Sequence, residues 1–333
     1  MANNNKCSFS DTDIKKDANI ATSELFHEIS KEGAFVRQKN HFTTPFGEGE
    51  NELPVEANRY RLLWASICPW AHRAVIVRRL LGLEDVISLG TANPIRTEKG
   101  WEFSLDKDGV DPVLGIRYLP EIYVKTDSQY AGRATVPTVV DVKTQKVVNN
   151  DYFRLTNHFE TAWKKFHKEG APDLYPKELR EDIDKLNDVI FNEVNNGVYK
   201  AGFSQSQEAY EKAYDILFAR LDYLEERLSK QRYLFGDKIT DSDIRLYVTL
   251  ARFDVAYYQV FRTNRNRLID FPNLWGYARD LYQISAFKET TDFDSIKRGY
   301  QLGNHNENPY GICAKGPDVS IWNLPHDREK FSK

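Results

Sequence analysis

Tyr60-Arg61-Leu62-Leu63-Trp64-Ala65, then Ser66-Ile67-Cys68-Pro69, then Ala71 to Leu81 closed by Gly82, constrains the fold more than any other stretch of this chain. The first six residues read as a strand, and the run after the proline reads as a helix that the glycine terminates. A cysteine where a strand hands over to a helix sits at the helix N-terminus, with Pro69 suited to the first turn. Backbone N–H groups without intrahelical partners gather there and favour a thiolate. Such surroundings lower a cysteine pKa from about 8.5 to roughly 3.5–7.5, and His72 and Arg73 are expected to add positive potential. Cys68 is therefore the candidate nucleophile. The fourth position of Cys68-Pro69-Trp70-Ala71 is alanine, so no neighbouring thiol can close an internal disulfide and Cys68 must react with an external one. The plainer alternative is a buried cysteine at a helix start.

Beyond this unit, Val86–Leu89 reads as the next strand, and a long stretch with Trp101, Tyr118, Tyr123 and Tyr130 leads to a second β region at Thr135–Val140. Val139–Val142 and Lys146–Val148 form a hairpin, after which Asn149-Asn150-Asp151 offers a helix N-cap ahead of Phe153, Phe159 and Trp163. This order, βαβ then ββα, matches a thioredoxin-like domain. In such domains a proline at the place of Pro137 is cis, and the residue before it, here Val136, exposes backbone groups to a peptide thiol such as glutathione. The residues alone leave the isomer open. Pairing of Val136 with the cysteinyl unit is a small case of strand addition. Asp151 fits two roles that can coexist, a partner for the γ-glutamyl ammonium or an ordinary N-cap.

From about residue 174 the pattern turns helical. Tyr210, Tyr214, Leu217, Leu221, Leu224 and Leu228 recur at helical spacing, and Thr240-Asp241-Ser242-Asp243 resembles a capping box. The expected class is α/β plus all-α: an arm over 1–57, a thioredoxin-like glutathione-binding domain over 58–168, an all-helical domain over 169–300 and an extended tail over 301–333. A chain of 333 residues with 41% apolar side chains suffices for two cooperating domains. Its 46 basic residues stand against 49 acidic ones with no basic stripe, so no nucleic-acid partner is expected. The polar opening lacks an apolar h-region and no run nears the roughly 18 residues of a membrane span, so a cytoplasmic location is expected. Cys7, Cys68 and Cys313 fit neither a disulfide framework nor a zinc site, which implies a reducing compartment; no metal is expected.

These residues, taken in order, resemble the Xi-class glutathione transferases, the glutathionyl-hydroquinone reductases, from about Gly33 to Arg328. The resemblance rests on Arg59-Tyr60, Cys68-Pro69-Trp70-Ala71-His72-Arg73, Gly100-Trp101-Glu102-Phe103 and Tyr130-Ala131-Gly132-Arg133-Ala134-Thr135-Val136-Pro137. It continues through Asn195–Phe203, Asp243-Ile244-Arg245-Leu246, Arg252-Phe253-Asp254 and Pro325-His326-Asp327-Arg328. It implies the transferase fold, a homodimer, and reduction of a glutathionylated aromatic through a Cys68–glutathione disulfide that a second glutathione resolves. It further implies that Tyr199 is the proton donor and acceptor, that Tyr257 and Tyr300 line the site, and that glutathione is held by Trp101 over the tripeptide, Arg133 near its carboxylate end, the backbone of Val136 and an acid–serine pair. Here Asp151 and Tyr152 stand at that pair, Val260 and Gly299 stand where members often carry histidine, and Arg61 follows Tyr60 where histidine is common. Cys7 and Cys313 match no catalytic position. Two other readings share the scaffold: an omega-like thioltransferase or dehydroascorbate reductase, and a non-catalytic binding protein.

Overall fold

The computed structural model describes residues 28–303 and 308–332; Cys7 lies outside them. Strands β1 (Tyr60–Ala65), β2 (Ile87–Ala92), β3 (Thr138–Asp141) and β4 (Lys146–Asn149) form a mixed sheet in the order β2-β1-β3-β4. β1 runs parallel to β2, with Leu62 opposite Leu89, and antiparallel to β3, with Leu62 opposite Val139. All of β1 is buried, which explains its unbroken run: a central strand covered on both faces has no solvent side to alternate with. Burying Leu62 and Leu63 completely stabilises the fold by about 1.5–3 kcal/mol each. Arg61 is buried too, and its Nε and Nη2 donate to Asp111 Oδ2 at 2.9 and 2.7 Å.

Helix α1 (Pro69–Leu80) follows β1, with Cys68 as its N-cap residue, and the chain leaves it through Gly82 at φ +73°. Helix α2 (Leu119–Thr126) falls in the stretch that the sequence left without structure. It is short, and its start is fixed by Glu121, whose Oε1 accepts from the Tyr118 N–H at 2.9 Å. Helix α3 (Leu155–Thr161) begins later than Asp151. Asp151 Oδ1 instead accepts from the backbone N–H groups of Phe153 and Arg154 at 3.0 and 3.2 Å, closing the turn ahead of the helix.

Helices α4 (Arg180–Val189), α5 (Gly197–Gly202), α6 (Gln207–Leu228), α7 (Asp241–Arg252), α8 (Pro272–Tyr282) and α9 (Phe293–Leu302) follow. On α6 the four leucines of the stripe are buried, while Tyr210 and Tyr214 are half-buried. The capping box of α7 is present, with the Thr240 N–H donating to Asp243 Oδ2 at 2.8 Å. Every residue of α7 is buried, so its charged side chains must find partners inside the protein. Arg245 Nε donates to Asp241 Oδ2 at 2.6 Å, and Arg252 crosses to the loop ahead of Cys68. Two π-helical turns, Ile190–Asn195 and Phe253–Tyr257, interrupt this half; such turns are frequent at functional sites.

Ahead of β1, Phe46 packs edge-on against Tyr60 and Trp163, with ring centroids 5.2 and 5.7 Å apart. Residues 308–332 carry two buried anchors. Trp322 packs on Trp275 at 5.0 Å, and Arg328 donates to the carbonyl oxygens of Leu228 and Arg232, each at 2.8 Å, serving one carbonyl at the end of α6 and one in the loop beyond it. No helix among the described residues is long and apolar enough to cross a membrane.

Candidate active site

The Cys68 Sγ lies 3.3 Å from the carbonyl oxygen of Val136, and the Val136–Pro137 bond is cis. The Cys68 N–H donates to Ala65 O at 2.9 Å, turning the chain out of β1. Pro69 has no N–H to leave unpaired, so α1 can begin at once. The amides of Ala71 and Trp70 face the sulfur. From the far end of α7, Arg252 donates from Nε to Ile67 O at 2.8 Å and from Nη2 to Ser66 O at 2.9 Å. The loop that carries the thiol is thus held by its carbonyls.

The charge balance departs from the sequence expectation of a depressed thiol. Burial pushes the Cys68 thiol up and outweighs the Ala71 amide, Arg252, the Trp70 amide and Arg37, each of which pulls it down. His72 contributes no positive charge. Its Nδ1 lies 3.2 Å from Arg252 Nη1 and its Nε2 3.0 Å from Thr290 Oγ1. A guanidinium can only donate, so Nδ1 is the bare nitrogen and Nε2–H donates to Thr290. Burial, reinforced by Arg252, pushes the His72 pKa well below its usual value. Arg73, pushed down to about 9 chiefly by burial, stays charged at neutral pH and donates to Tyr152 O.

A cavity of about 1100 Å³ opens over the thiol. Of the residues singled out in the sequence, Cys68, Trp101, Arg133, Val136, Tyr152, Tyr199 and Tyr300 line it, whereas Pro137, Asp151 and Tyr257 do not. Tyr257 is fully buried behind the wall. Its hydroxyl lies 3.1 Å from that of Tyr300 and 3.5 Å from that of Tyr199, and those two are 2.5 Å apart. Burial raises the pKa of all three phenols, so each holds its proton at neutral pH. The Cys68 charge acts on Tyr199, placing a protonated phenol within electrostatic reach of the sulfur.

The remaining candidates are held in different ways. Trp101 O accepts from the Leu119 N–H at 2.8 Å, tying the indole's loop to α2. Arg133 donates from Nη1 and Nη2 to Glu28 at 2.7 and 3.1 Å. Tyr152 packs between Trp70 and Phe191, with centroids at 5.4 and 6.0 Å. Asp151 Oδ1 also accepts from Asn40 Nδ2 at 2.9 Å. Val260 and Gly299 both line the cavity. A Cβ at Gly299 would come within 2.4 Å of Ile67 Cδ1 and 2.8 Å of Pro94 O, so the packing here leaves no room for any side chain.

Sequence reasoning missed three arginines. Arg37, on the segment ahead of β1, lies 4.7 Å from the ring centroids of both Trp70 and Tyr199, with Nε donating to Asn196 Oδ1 at 2.8 Å. That segment has no periodicity to announce it. Arg252 stood only within a quoted motif, and Arg96 carried no signal at all.

The family model described as the glutathione S-transferase N-terminal domain matches residues 67–162, and that of the C-terminal domain matches residues 207–280. The glutathionyl-hydroquinone reductase YqjG of Escherichia coli strain K12 is 40% identical over 287 residues, covering 86% of this chain and 87% of that protein. A crystal structure of a glutathione transferase from Gordonia bronchialis DSM 43247 superposes with a TM-score of 0.86 at 50% identity, over 88% of this chain and 92% of that one. The glutathione-bound structure of YqjG superposes with a TM-score of 0.80 at 39% identity, over 90% and 98%. With a mixed sheet, a helical half and a cysteine at the head of α1, the chain belongs to the glutathionyl-hydroquinone reductases, enzymes of the Xi class of glutathione transferases.

Proposed function

We propose that this enzyme reduces glutathionyl-hydroquinones to hydroquinones, with glutathione as the second thiol. The Cys68 thiolate attacks the sulfur of the conjugate; a sulfur–sulfur bond forms and the carbon–sulfur bond breaks. Its electron pair passes to the ring carbon, which takes a proton from Tyr199. A second glutathione then attacks the Cys68–glutathione disulfide, releasing oxidised glutathione and the Cys68 thiolate, while its thiol proton returns to Tyr199. One conjugate and one glutathione thus become one hydroquinone and one glutathione disulfide. Tyr300 and Tyr257 hold the Tyr199 hydroxyl, and Trp101, Val136 and Tyr152 border the tripeptide.

The observation that carries this reading is that Cys68 and the protonated Tyr199 line the same cavity, with Tyr300 hydrogen-bonded to Tyr199. Cleaving an aromatic thioether requires a proton donor for carbon. Exchange between two sulfurs, the omega-like alternative, requires only the thiol. The glutathione-bound relative supports the choice of co-substrate. The same proposal includes a cytoplasmic location, since a free reactive thiol suits a reducing compartment, and a homodimer, which rests on the family resemblance and is tested by sedimentation.

Mixing the protein with a glutathionyl-hydroquinone in the absence of free glutathione should give a glutathione adduct on Cys68, read by intact mass, and an equal amount of hydroquinone. Cys68→Ser should give neither while remaining folded. An untouched conjugate and an unmodified Cys68 would falsify the reading.

A further inference from the structure

The resemblance puts Arg133 at the carboxylate end of the tripeptide, yet in the structure that side chain is already engaged. Both of its terminal nitrogens donate to the two oxygens of Glu28, a fork-to-fork pair that occupies the donors a ligand carboxylate would use. Its backbone N–H donates to Gln38 Oε1 at 2.9 Å. Arg96 lines the same cavity and makes no hydrogen bond or ion pair with any of the described residues. The charges that act on it are Arg133, which repels it, and Glu28, which attracts it, while burial pushes its pKa down to about 10. Two guanidinium groups therefore share one carboxylate, and one positive charge faces the cavity uncompensated.

The loop that carries Arg96 is fixed in place. Asn93 Oδ1 accepts from the Ile95 N–H at 2.9 Å. Thr97 and Gly100 exchange backbone hydrogen bonds at 3.1 and 3.0 Å. Arg96 and Trp101 flank this tight turn in sequence, and both line the cavity. A half-buried guanidinium with no acceptor is unfavourable until an anion completes it.

We infer that Arg96, not Arg133, receives the glycine carboxylate of glutathione, and that Glu28 holds Arg133 as the neutralised neighbour behind it. The assignment rests on glutathione being the thiol used, and it makes Arg96 the residue that distinguishes a thiol peptide ending in a free carboxylate from one that does not.

The test compares glutathione with its glycine ethyl ester in wild type, Arg96→Gln and Arg133→Gln, reading KM in turnover and direct binding by quenching of tryptophan fluorescence. In wild type the ester should bind about 10- to 100-fold more weakly, the range for a lost charged hydrogen-bond pair. Arg96→Gln should weaken glutathione binding by the same factor, with the loss falling on KM, and should no longer distinguish acid from ester. Its melting temperature should stay close to that of wild type, because Arg96 makes no hydrogen bond or ion pair with any of the described residues. Arg133→Gln should retain the discrimination. The inference is overturned if Arg96→Gln still prefers the acid as strongly as wild type does, or if Arg133→Gln is the variant that loses the preference. A wild-type protein that neither binds nor turns over glutathione overturns the reductase reading along with it, whereas normal wild-type turnover with unchanged Arg96→Gln discrimination sinks this assignment alone.

Discussion

Arg252 Nε donates to the carbonyl oxygen of Ile67 at 2.8 Å, so the residue ahead of the nucleophile is held by the last residue of a helix far along the chain. The same guanidinium donates to Ser66 O and Val248 O and meets His72 Nδ1. Removing it leaves the Ser66 and Ile67 carbonyls buried and unpaired, at a cost of about 1–3 kcal/mol each. Arg252→Met is therefore expected to lower the unfolding free energy by about 3 kcal/mol, measured in denaturant. Its charge also pulls the Cys68 thiol down, so alkylation of Cys68 in the variant should titrate at higher pH than in wild type. Arg252→Lys should restore much of the titration and little of the stability, because an ammonium keeps the charge but not the fork. A wild-type alkylation profile in Arg252→Met would show that the loop positions itself.

The direction of the Cys68 shift predicts the pH–rate profile. Burial is the largest influence and holds the thiol above its ordinary value, so at neutral pH the thiolate is the minor form. The rate of Cys68 modification, and kcat/KM with it, should climb by up to about tenfold per pH unit through the neutral range into the alkaline one. A depressed thiol would instead give a flat profile above neutrality. Arg37 also pulls the thiol down, so Arg37→Gln should carry the climb to higher pH.

Tyr199→Phe removes the proposed donor from the cavity and leaves Tyr257 and Tyr300 hydrogen-bonded to each other. Release of hydroquinone should slow by about 10²-fold or more. Exchange of Cys68 with a small disulfide, which needs no carbon acid, should keep its wild-type rate. Equal losses in both assays would return Tyr199 to a packing role, and an unchanged hydroquinone rate would exclude it as the acid.

What was legible in the sequence follows from how far each interaction reaches. The junction around Cys68 could be read because its determinants are local: an apolar run, a proline and a glycine within one supersecondary unit. Helix α2 was missed because it is short and takes its N-terminal cap from Glu121, with no long amphipathic stripe. The thiol's direction of shift was read wrongly from the same junction. The helix N-terminus is visible in sequence, but the burial that outweighs it comes from the tertiary packing. The grip of Arg252 on Ile67, the clamping of Arg133 by Glu28 and the freedom of Arg96 are likewise tertiary, and periodicity carries no trace of them. The tyrosine cluster was reached through family resemblance alone, since three aromatics spread from 199 to 300 share no local pattern.

Two buried groups should bend the stability–pH curve in opposite senses. His72 is fully buried, and its pKa lies well below 6.5; the unfolded chain takes up a proton below about 6.5 that the folded one refuses. Its contribution is full above that value and is lost on acidification, at about 1.4 kcal/mol per pH unit. Glu160 is raised well above 4.5, by burial first and then by Asp241. Its Oε1 and Asp241 Oδ1 both lack partners, and a proton on Glu160 donated to Asp241 would satisfy both. The Glu160 contribution is full below about 4.5 and is lost as pH rises through its folded value. Between the two unfolded-state values, about 4.5 and 6.5, the slopes have opposite signs, so the wild-type curve should be shallower there than either group alone would make it. Glu160→Gln keeps the donor and removes the titration, so its stability should fall more steeply on acidification than that of wild type, with the slopes of His72 and of His158, whose pKa burial also lowers, no longer opposed. Denaturant unfolding of both proteins at several pH values measures this, and parallel curves would mean that Glu160 is ionised in the folded protein.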